Sequence, residues 1–207
     1  MVALTLAVPT GRLFDDALGL LRRLRVIDEA PVERSLVLPG RGGVRLLIAK
    51  PADIPAYVEH GAADAGVVGK DVLLEQERDV YELVDLGFGA CRGVVALPAD
   101  QEARWRPGTL LRIATKYPRV TAWFFEREQR PVEIVELHGS VELAPRAGLA
   151  DGIMDLVMTG RTLRDNLLVE VAEVFRSTAR LVVNRASLRT KASRLRPLLQ
   201  QMEALVP

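Results

Sequence analysis

The sequence holds a single cysteine, Cys91, so no disulfide can form within the chain, and a lone thiol suits a reducing compartment. Cys91 reads as a small buried hydrophobe before it reads as a nucleophile. Two histidines, His60 and His138, are too few to build a structural zinc site with it. Neither sign of charge is in excess: 28 Lys and Arg face 27 Asp and Glu, a net charge of +1. That excludes a strong field for nucleic acid or an anionic membrane, so an anionic substrate must be held by local cations and backbone N–H groups. No apolar run approaches the roughly 18–20 residues of a membrane span. Residues 1–9 are apolar but lack the basic start and the length of a signal peptide, so a cytoplasmic protein is expected. Internal repeats, low-complexity tracts and nucleophile motifs are also missing. What remains is a hydrophobic content of 49%, enough for a soluble globular chain of one domain or two small ones.

The most informative stretch is residues 151–163, Asp-Gly-Ile-Met-Asp-Leu-Val-Met-Thr-Gly-Arg-Thr-Leu. Its first part reads as a buried strand carrying Asp155. Thr159, Gly160, Arg161 and Thr162 break the strand, and a helix starts from Leu163. Strand, short hydroxylated turn and helix together present N–H groups and two hydroxyls to an anion such as phosphate. Asp155, just upstream, is placed to bind sugar hydroxyls. The same residues also suit an ordinary turn, since Gly allows positive φ and Thr caps helices.

Strands and helices alternate along the rest of the chain, which predicts an α/β fold with mostly parallel pairing. Residues 3–8 form a strand. Pro9-Thr10-Gly11-Arg12 is a second strand–turn–helix junction, with Arg12 as a cation or a solvated side chain. Residues 26–43 read as a loop or hairpin, and residues 44–49 as a strand. Gly66 and Gly69, in the turn leading to Lys70, allow close approach by a ligand or by neighbouring packing. Residues 81–86 and 91–97 bracket a crossing between two lobes. Arg92, inside an apolar strand, requires a salt bridge or a bound anion. Thr115-Lys116-Tyr117-Pro118 follows a strand, with Lys116 a candidate cation. Residues 132–137 form a strand, and a helix starts at Val141 with Glu142 favoured by its dipole. Residues 168–175 and 179–183 form strands. The terminal helix carries an apolar stripe of Leu195, Leu198, Leu199, Met202 and Leu205, which would permit a dimer face, while Arg189, Lys191, Arg194 and Arg196 form its solvated side.

Glu142, Gly148, Ala150, Ile153, Asp155, Thr159, Gly160, Thr162 and Leu163 stand at spacings that resemble the signature of the ATP phosphoribosyltransferase family, in its short form. The likeness extends to residues 57–73, to Ala-Thr-Lys-Tyr-Pro at 114–118, and to Pro9-Thr10-Gly11-Arg12, where Thr10 replaces a usual lysine. Some relatives carry Glu where Met158 stands, which leaves ribose binding here to Asp155. The resemblance implies two lobes like type II periplasmic binding proteins, with mixed, mostly parallel sheets and a central cleft. Residues 1–90 and 176–207 would form one lobe, and residues 91–175 the other. It implies condensation of ATP, through adenine N1, with phosphoribosyl pyrophosphate, releasing pyrophosphate, as the first step of histidine biosynthesis. Alternatives are a phosphoribosyltransferase for another base, a solute-binding protein or an idle subunit of the same fold. By resemblance, Arg12 and Asp155 are catalytic. Lys70, Arg92, Lys116, Glu142, Thr159, Gly160, Arg161 and Thr162 bind substrate, and Mg²⁺ arrives mainly on substrate phosphates. The implied partners are a second copy of the chain and a regulatory subunit resembling histidyl-tRNA synthetase, with no nucleic acid and no membrane.

Overall fold

The first strand, β1 (Leu4–Pro9), is buried along its whole length, which requires a covering layer on both faces. The computed structural model, which describes residues 3–28 and 36–206, supplies both. Leu4, Leu6 and Val8 enter a core shared with Leu18 and Leu21 of α1 (Phe14–Arg23). Ala7, out of phase with them, joins Ile54 and Val58 of α2 (Ile54–Glu59) on the opposite face. Gly66 exists for that second layer, because a Cβ there would stand 2.7 Å from Ile54. Close packing, not ligand approach, explains this glycine.

Two compact units result, one taking residues up to Ala90 and from Thr178 onward, the other Cys91–Ser177. The first unit continues through β2 (Val37–Pro39), β3 (Val44–Ala49), β4 (Ala65–Gly69), α3 (Lys70–Gln76) and β5 (Tyr81–Asp85). Of the stretch expected as a loop or hairpin, residues 29–35 lie outside the described residues. β2 and β3 do form an antiparallel hairpin.

The second unit holds β6 (Cys91–Pro98), β7 (Leu111–Thr115), α4 (Pro118–Arg127), β8 (Val132–Glu136), β9 (Gly152–Val157), α5 (Arg161–Asp165) and β10 (Leu168–Ser177). Its sheet order is β10-β6-β9-β7-β8. β7 runs parallel to β8 and β9, whereas β6 runs antiparallel to β9 and β10. Val94, Ala114, Ile153 and Val157 form a core with Leu163 of α5. The helix expected from Val141 is only a single 3-10 turn, Val141–Leu143. Pro145 and Gly148, the latter at φ +71°, stop it, so Glu142 gains little from a helix dipole.

The chain then returns to the first unit with β11 (Ala179–Val183), α6 (Arg185–Thr190) and α7 (Ala192–Leu205). The completed sheet has the order β2-β3-β1-β4-β11-β5, with β11 antiparallel to both neighbours. Both sheets are therefore mixed, with more antiparallel pairing than strand–helix alternation suggests. Leu195 and Met202 of α7 are fully buried, and Leu198, Leu199 and Leu205 pack against the same core. The apolar stripe thus packs against its own unit, with Leu198, Leu199 and Leu205 left half-buried. Lys191 is also not solvated as expected. Its Nζ donates to the buried Asp64 at 2.8 Å and to the carbonyl of Ala3 at 2.9 Å. Asp64 further accepts from the Thr5 N–H and the Ser187 hydroxyl, tying β1 to α6.

Candidate active site

Parallel strands end on the same side of a sheet, and ligands of α/β proteins gather there. Thr115 and Met154 are register partners on β7 and β9, so the residues that follow each, Lys116 and Asp155, meet at that edge. Lys116 Nζ lies 3.4 Å from Asp155 Oδ1. The Lys116 turn is fixed from within: the Tyr117 N–H donates to the buried Thr115 hydroxyl, and the Thr121 hydroxyl donates to the Tyr117 carbonyl. Asp155 Oδ1 also accepts from the Leu156 N–H at 2.8 Å. Both contacts use Oδ1, so among the described residues Oδ2 has no protein donor.

Beyond β9 the chain turns through Thr159 and Gly160, the latter at φ +71°, a conformation glycine adopts without strain. α5 follows at once. Among the described residues, none of the backbone N–H groups of Gly160, Arg161 and Thr162 donates to a backbone carbonyl. A cavity of about 260 Å³ opens in front of this turn, lined by Glu142, Asp155, Met158, Thr159, Gly160 and Thr162 among others. Its size suits a sugar phosphate better than a whole nucleotide. The hydroxylated turn, its unpaired N–H groups, Asp155 and Glu142 thus share one site. Arg161 also lines the cavity, and its side chain, 83% exposed, lies 3.5 Å from Asp165.

Arg92 resolves toward the salt bridge. Its Nη1 and Nη2 donate to both Glu170 oxygens at 2.9 and 3.0 Å, and Nη1 also reaches Glu173 at 3.2 Å. Glu170, and then Glu173, push the guanidinium pKa up. Glu170 escaped the sequence reading, as did Arg164, whose Nη1 donates to the Thr159 carbonyl at 3.1 Å. Both flank Gly160: a Cβ there would lie 3.2 Å from Arg164 Nη1 and 3.8 Å from Glu170 Oε1. Arg92 therefore neutralises a carboxylate that would otherwise repel an anion at the turn.

The first unit holds the other two candidates. Arg12 is exposed and donates from Nη1 to the Gly89 carbonyl at 2.6 Å. Lys70 Nζ pairs with Glu82 at 2.6 Å, so its charge is already compensated. A cavity of about 370 Å³ also lies in this unit, under Ile27, Leu38, Pro39 and Leu46, but it carries none of the site residues. His60 and His138 are both exposed and Cys91 is buried. Among the described residues, no three His, Cys, Asp or Glu side chains are grouped to hold a metal, and no helix is long and apolar enough to cross a membrane.

The alkanesulfonate-binding protein SsuA from Xanthomonas axonopodis pv. citri matches this chain with a TM-score of 0.60, covering 98% of this chain and 72% of that one. At 10% identity that likeness concerns the fold alone, that of type II periplasmic binding proteins. Sequence relatives place the chain among the phosphoribosyl-transferring enzymes, the pentosyltransferases. The chain belongs to the ATP phosphoribosyltransferase family, whose HisG model matches residues 50–204. The ATP phosphoribosyltransferase of Moorella thermoacetica is 53% identical, over 97% of this chain and 92% of that protein. A chain of the ATP phosphoribosyl transferase (HisG:HisZ) complex from Thermotoga maritima is 38% identical, with a TM-score of 0.84 and 97% of both chains covered. The reaction joins adenine N1 of ATP to the anomeric carbon of phosphoribosyl pyrophosphate and opens histidine biosynthesis.

Proposed function

We propose that the cavity of the second unit holds the 5-phosphoribosyl group of phosphoribosyl pyrophosphate. The observation that carries this reading is the meeting of Asp155, Glu142 and a turn with undonated N–H groups around one cavity. The N–H groups of Gly160, Arg161 and Thr162, with the hydroxyls of Thr159 and Thr162, receive the 5-phosphate. Oδ2 of Asp155 accepts from the ribose hydroxyls while Lys116 and the Leu156 N–H steady Oδ1. Glu142 faces the same space and contacts ribose or adenine. Arg12 of the first unit supplies a cation to pyrophosphate or triphosphate. Lys70 and Arg92, each committed to carboxylates, act through those pairs and not as free cations.

Adenine N1 attacks through its own lone pair, so no side chain has to generate the nucleophile. The N1–C1 bond forms as the C1–O bond breaks, and that bond's electron pair leaves with pyrophosphate. Positive charge grows on the ribose ring in between, as in glycoside chemistry, and the Asp155 carboxylate is placed to stabilise it. An ion that binds through phosphate oxygens needs one or two carboxylates at most, and Asp155 and Glu142 are those that line the cavity. Mg²⁺ carried in this way would supply charge neutralisation for the departing pyrophosphate.

The chain works with a separate regulatory subunit, a reading supported by the HisG:HisZ complex of its Thermotoga maritima relative, and in the cytoplasm, where a biosynthetic enzyme meets ATP. The test is turnover with ATP, phosphoribosyl pyrophosphate and Mg²⁺, followed by the adenine absorbance change with pyrophosphatase present. It is run with the chain alone and with the regulatory subunit. Product in either condition, lost in Asp155→Asn, supports the site. Full turnover by Asp155→Asn removes the ribose assignment.

A further inference from the structure

Arg164 belongs to no part of the site assigned so far. It is exposed on α5, yet its side chain folds back five residues to donate from Nη1 to the Thr159 carbonyl. The same nitrogen would lie 3.2 Å from a Cβ on Gly160. Thr159 and Gly160 line the cavity whereas Arg164 does not, so it approaches the turn from behind. The peptide group between Thr159 and Gly160 is trans, and in a trans peptide the C=O and N–H point in opposite directions. A carbonyl held toward Arg164 therefore holds the Gly160 N–H toward the cavity.

Glycine makes this lock necessary. With no Cβ, Gly160 tolerates either sign of φ, so the adjoining peptide can rotate at little steric cost. The rotated peptide would present a carbonyl oxygen to the cavity and repel a phosphate. We propose that Arg164 is a positioning residue that fixes the Thr159–Gly160 peptide with its N–H toward the 5-phosphate. Glu170 flanks Gly160 on the same side and is itself held by Arg92, so the guanidinium of Arg164 sits beside a fixed carboxylate. The lock rests on the reading of this turn as the 5-phosphate site.

Equilibrium binding of phosphoribosyl pyrophosphate with Mg²⁺ is measured for the intact chain, Thr162→Val and Arg164→Ala, with steady-state kinetics beside it. Thr162→Val binds about tenfold more weakly. Arg164→Ala also binds about tenfold more weakly, the scale of one charged hydrogen bond, with KM for ATP, kcat at saturation and Tm unchanged. Added guanidinium ion restores part of its affinity. Wild-type affinity in Arg164→Ala beside weakened Thr162→Val overturns the lock and leaves the phosphate reading standing. Wild-type affinity in Thr162→Val overturns the phosphate reading itself and the lock with it. A fall in Tm and in affinity for both substrates of Arg164→Ala makes Arg164 merely structural.

Discussion

The chain uses Thr-Gly-Arg twice after a buried strand, at Thr10-Gly11-Arg12 in the first unit and Thr159-Gly160-Arg161 in the second. Both glycines sit in the left-handed region, Gly11 at φ +74° and Gly160 at φ +71°. Both turns enter a short helical segment. Their neighbours set them apart. Four residues before the threonine stands Leu6 in the first unit, 3% exposed in the core, and Asp155 in the second. After the arginine stands Leu13, 4% exposed, against the exposed hydroxyl of Thr162. In the first unit Arg12 reaches across to the Gly89 carbonyl, and Leu13 fills the space beside Gly89. In the second, a cavity of about 260 Å³ opens in front of the turn. A shared tripeptide therefore specifies a backbone turn; the residues on either side decide whether the turn packs or binds.

The largest expected effect separates the two at their upstream residue. Asp155→Asn keeps the shape and removes the charge. Turnover should fall by about 10²–10³-fold, the scale for a lost electrostatic group at a reacting centre. Melting should stay near wild type, since Asp155 serves the cavity and not the core. Leu6→Asn should do the reverse, destabilising the chain by about 2–5 kcal/mol through a buried polar group and lost packing. Steady-state kinetics and thermal unfolding of both variants check the contrast. A strongly destabilised Asp155→Asn would mean that both turns are structural.

The downstream residue gives the next effect. Thr162→Val should weaken phosphoribosyl pyrophosphate by about tenfold, the net worth of a hydrogen bond to a charged group, and leave Tm unchanged. Leu13→Thr should cost about 2 kcal/mol of stability for a buried apolar side chain made polar. Calorimetric titration and melting curves read the two. The two glycines differ as well. Alanine at Gly11 or Gly160 costs about 1–2 kcal/mol of backbone strain in each case. Only at Gly160 does the new Cβ meet a neighbour, Arg164, because nothing lies within 4 Å at Gly11. Loss of affinity for ribose 5-phosphate, which carries no pyrophosphate for Arg12, is expected for Gly160→Ala alone, and equal losses in both variants would mean that the turns do not differ.

Much of this was legible in the sequence. Apolar runs located β1, β4 and β6, because strands buried on both faces need no alternation. The turn after β9 was legible because hydroxyl, glycine and a nearby acid are local features. Pairings across strands were not. Glu170 looks like an ordinary polar position on β10; the antiparallel pairing sets it opposite Ala96 of β6, and the long Arg92 side chain, four residues away on β6, reaches it. Lys116 meets Asp155 through the parallel pairing of β7 with β9, which no local pattern records. Lys191 read as solvated because helical periodicity placed it on the polar side, yet its long stem reaches the buried Asp64. The helix expected at Val141 failed for a local reason, since Pro145 and Gly148 were in view.

The smallest effect compares how each unit holds one aspartate. Burial raises the pKa of Asp151, but the Arg112 N–H and Arg104 outweigh it, so the carboxyl titrates below its ordinary value. Asp85 behaves alike: burial raises it, while the Thr178 hydroxyl, the Gly87 N–H and Arg180 win. A carboxyl whose folded pKa is depressed contributes stability above its unfolded pKa, and that contribution is lost as pH falls through the folded value. Both contributions are therefore complete at pH 7 and fade below about pH 4. Asp151, with 16% of its side chain exposed, should matter more than Asp85 at 48%, where solvent screens the pair. Asp151→Asn should cost about 1 kcal/mol at pH 7, since the amide oxygen still accepts from Arg112, and progressively less as pH falls below about 4. Asp85→Asn should cost less at every pH. Both tryptophans, Trp105 and Trp123, lie in the second unit, so their fluorescence follows the unit that holds Asp151 while circular dichroism follows the whole chain. An Asp151→Asn loss that persists unchanged to pH 3 would show that packing, not charge, gives that aspartate its place at the start of β9.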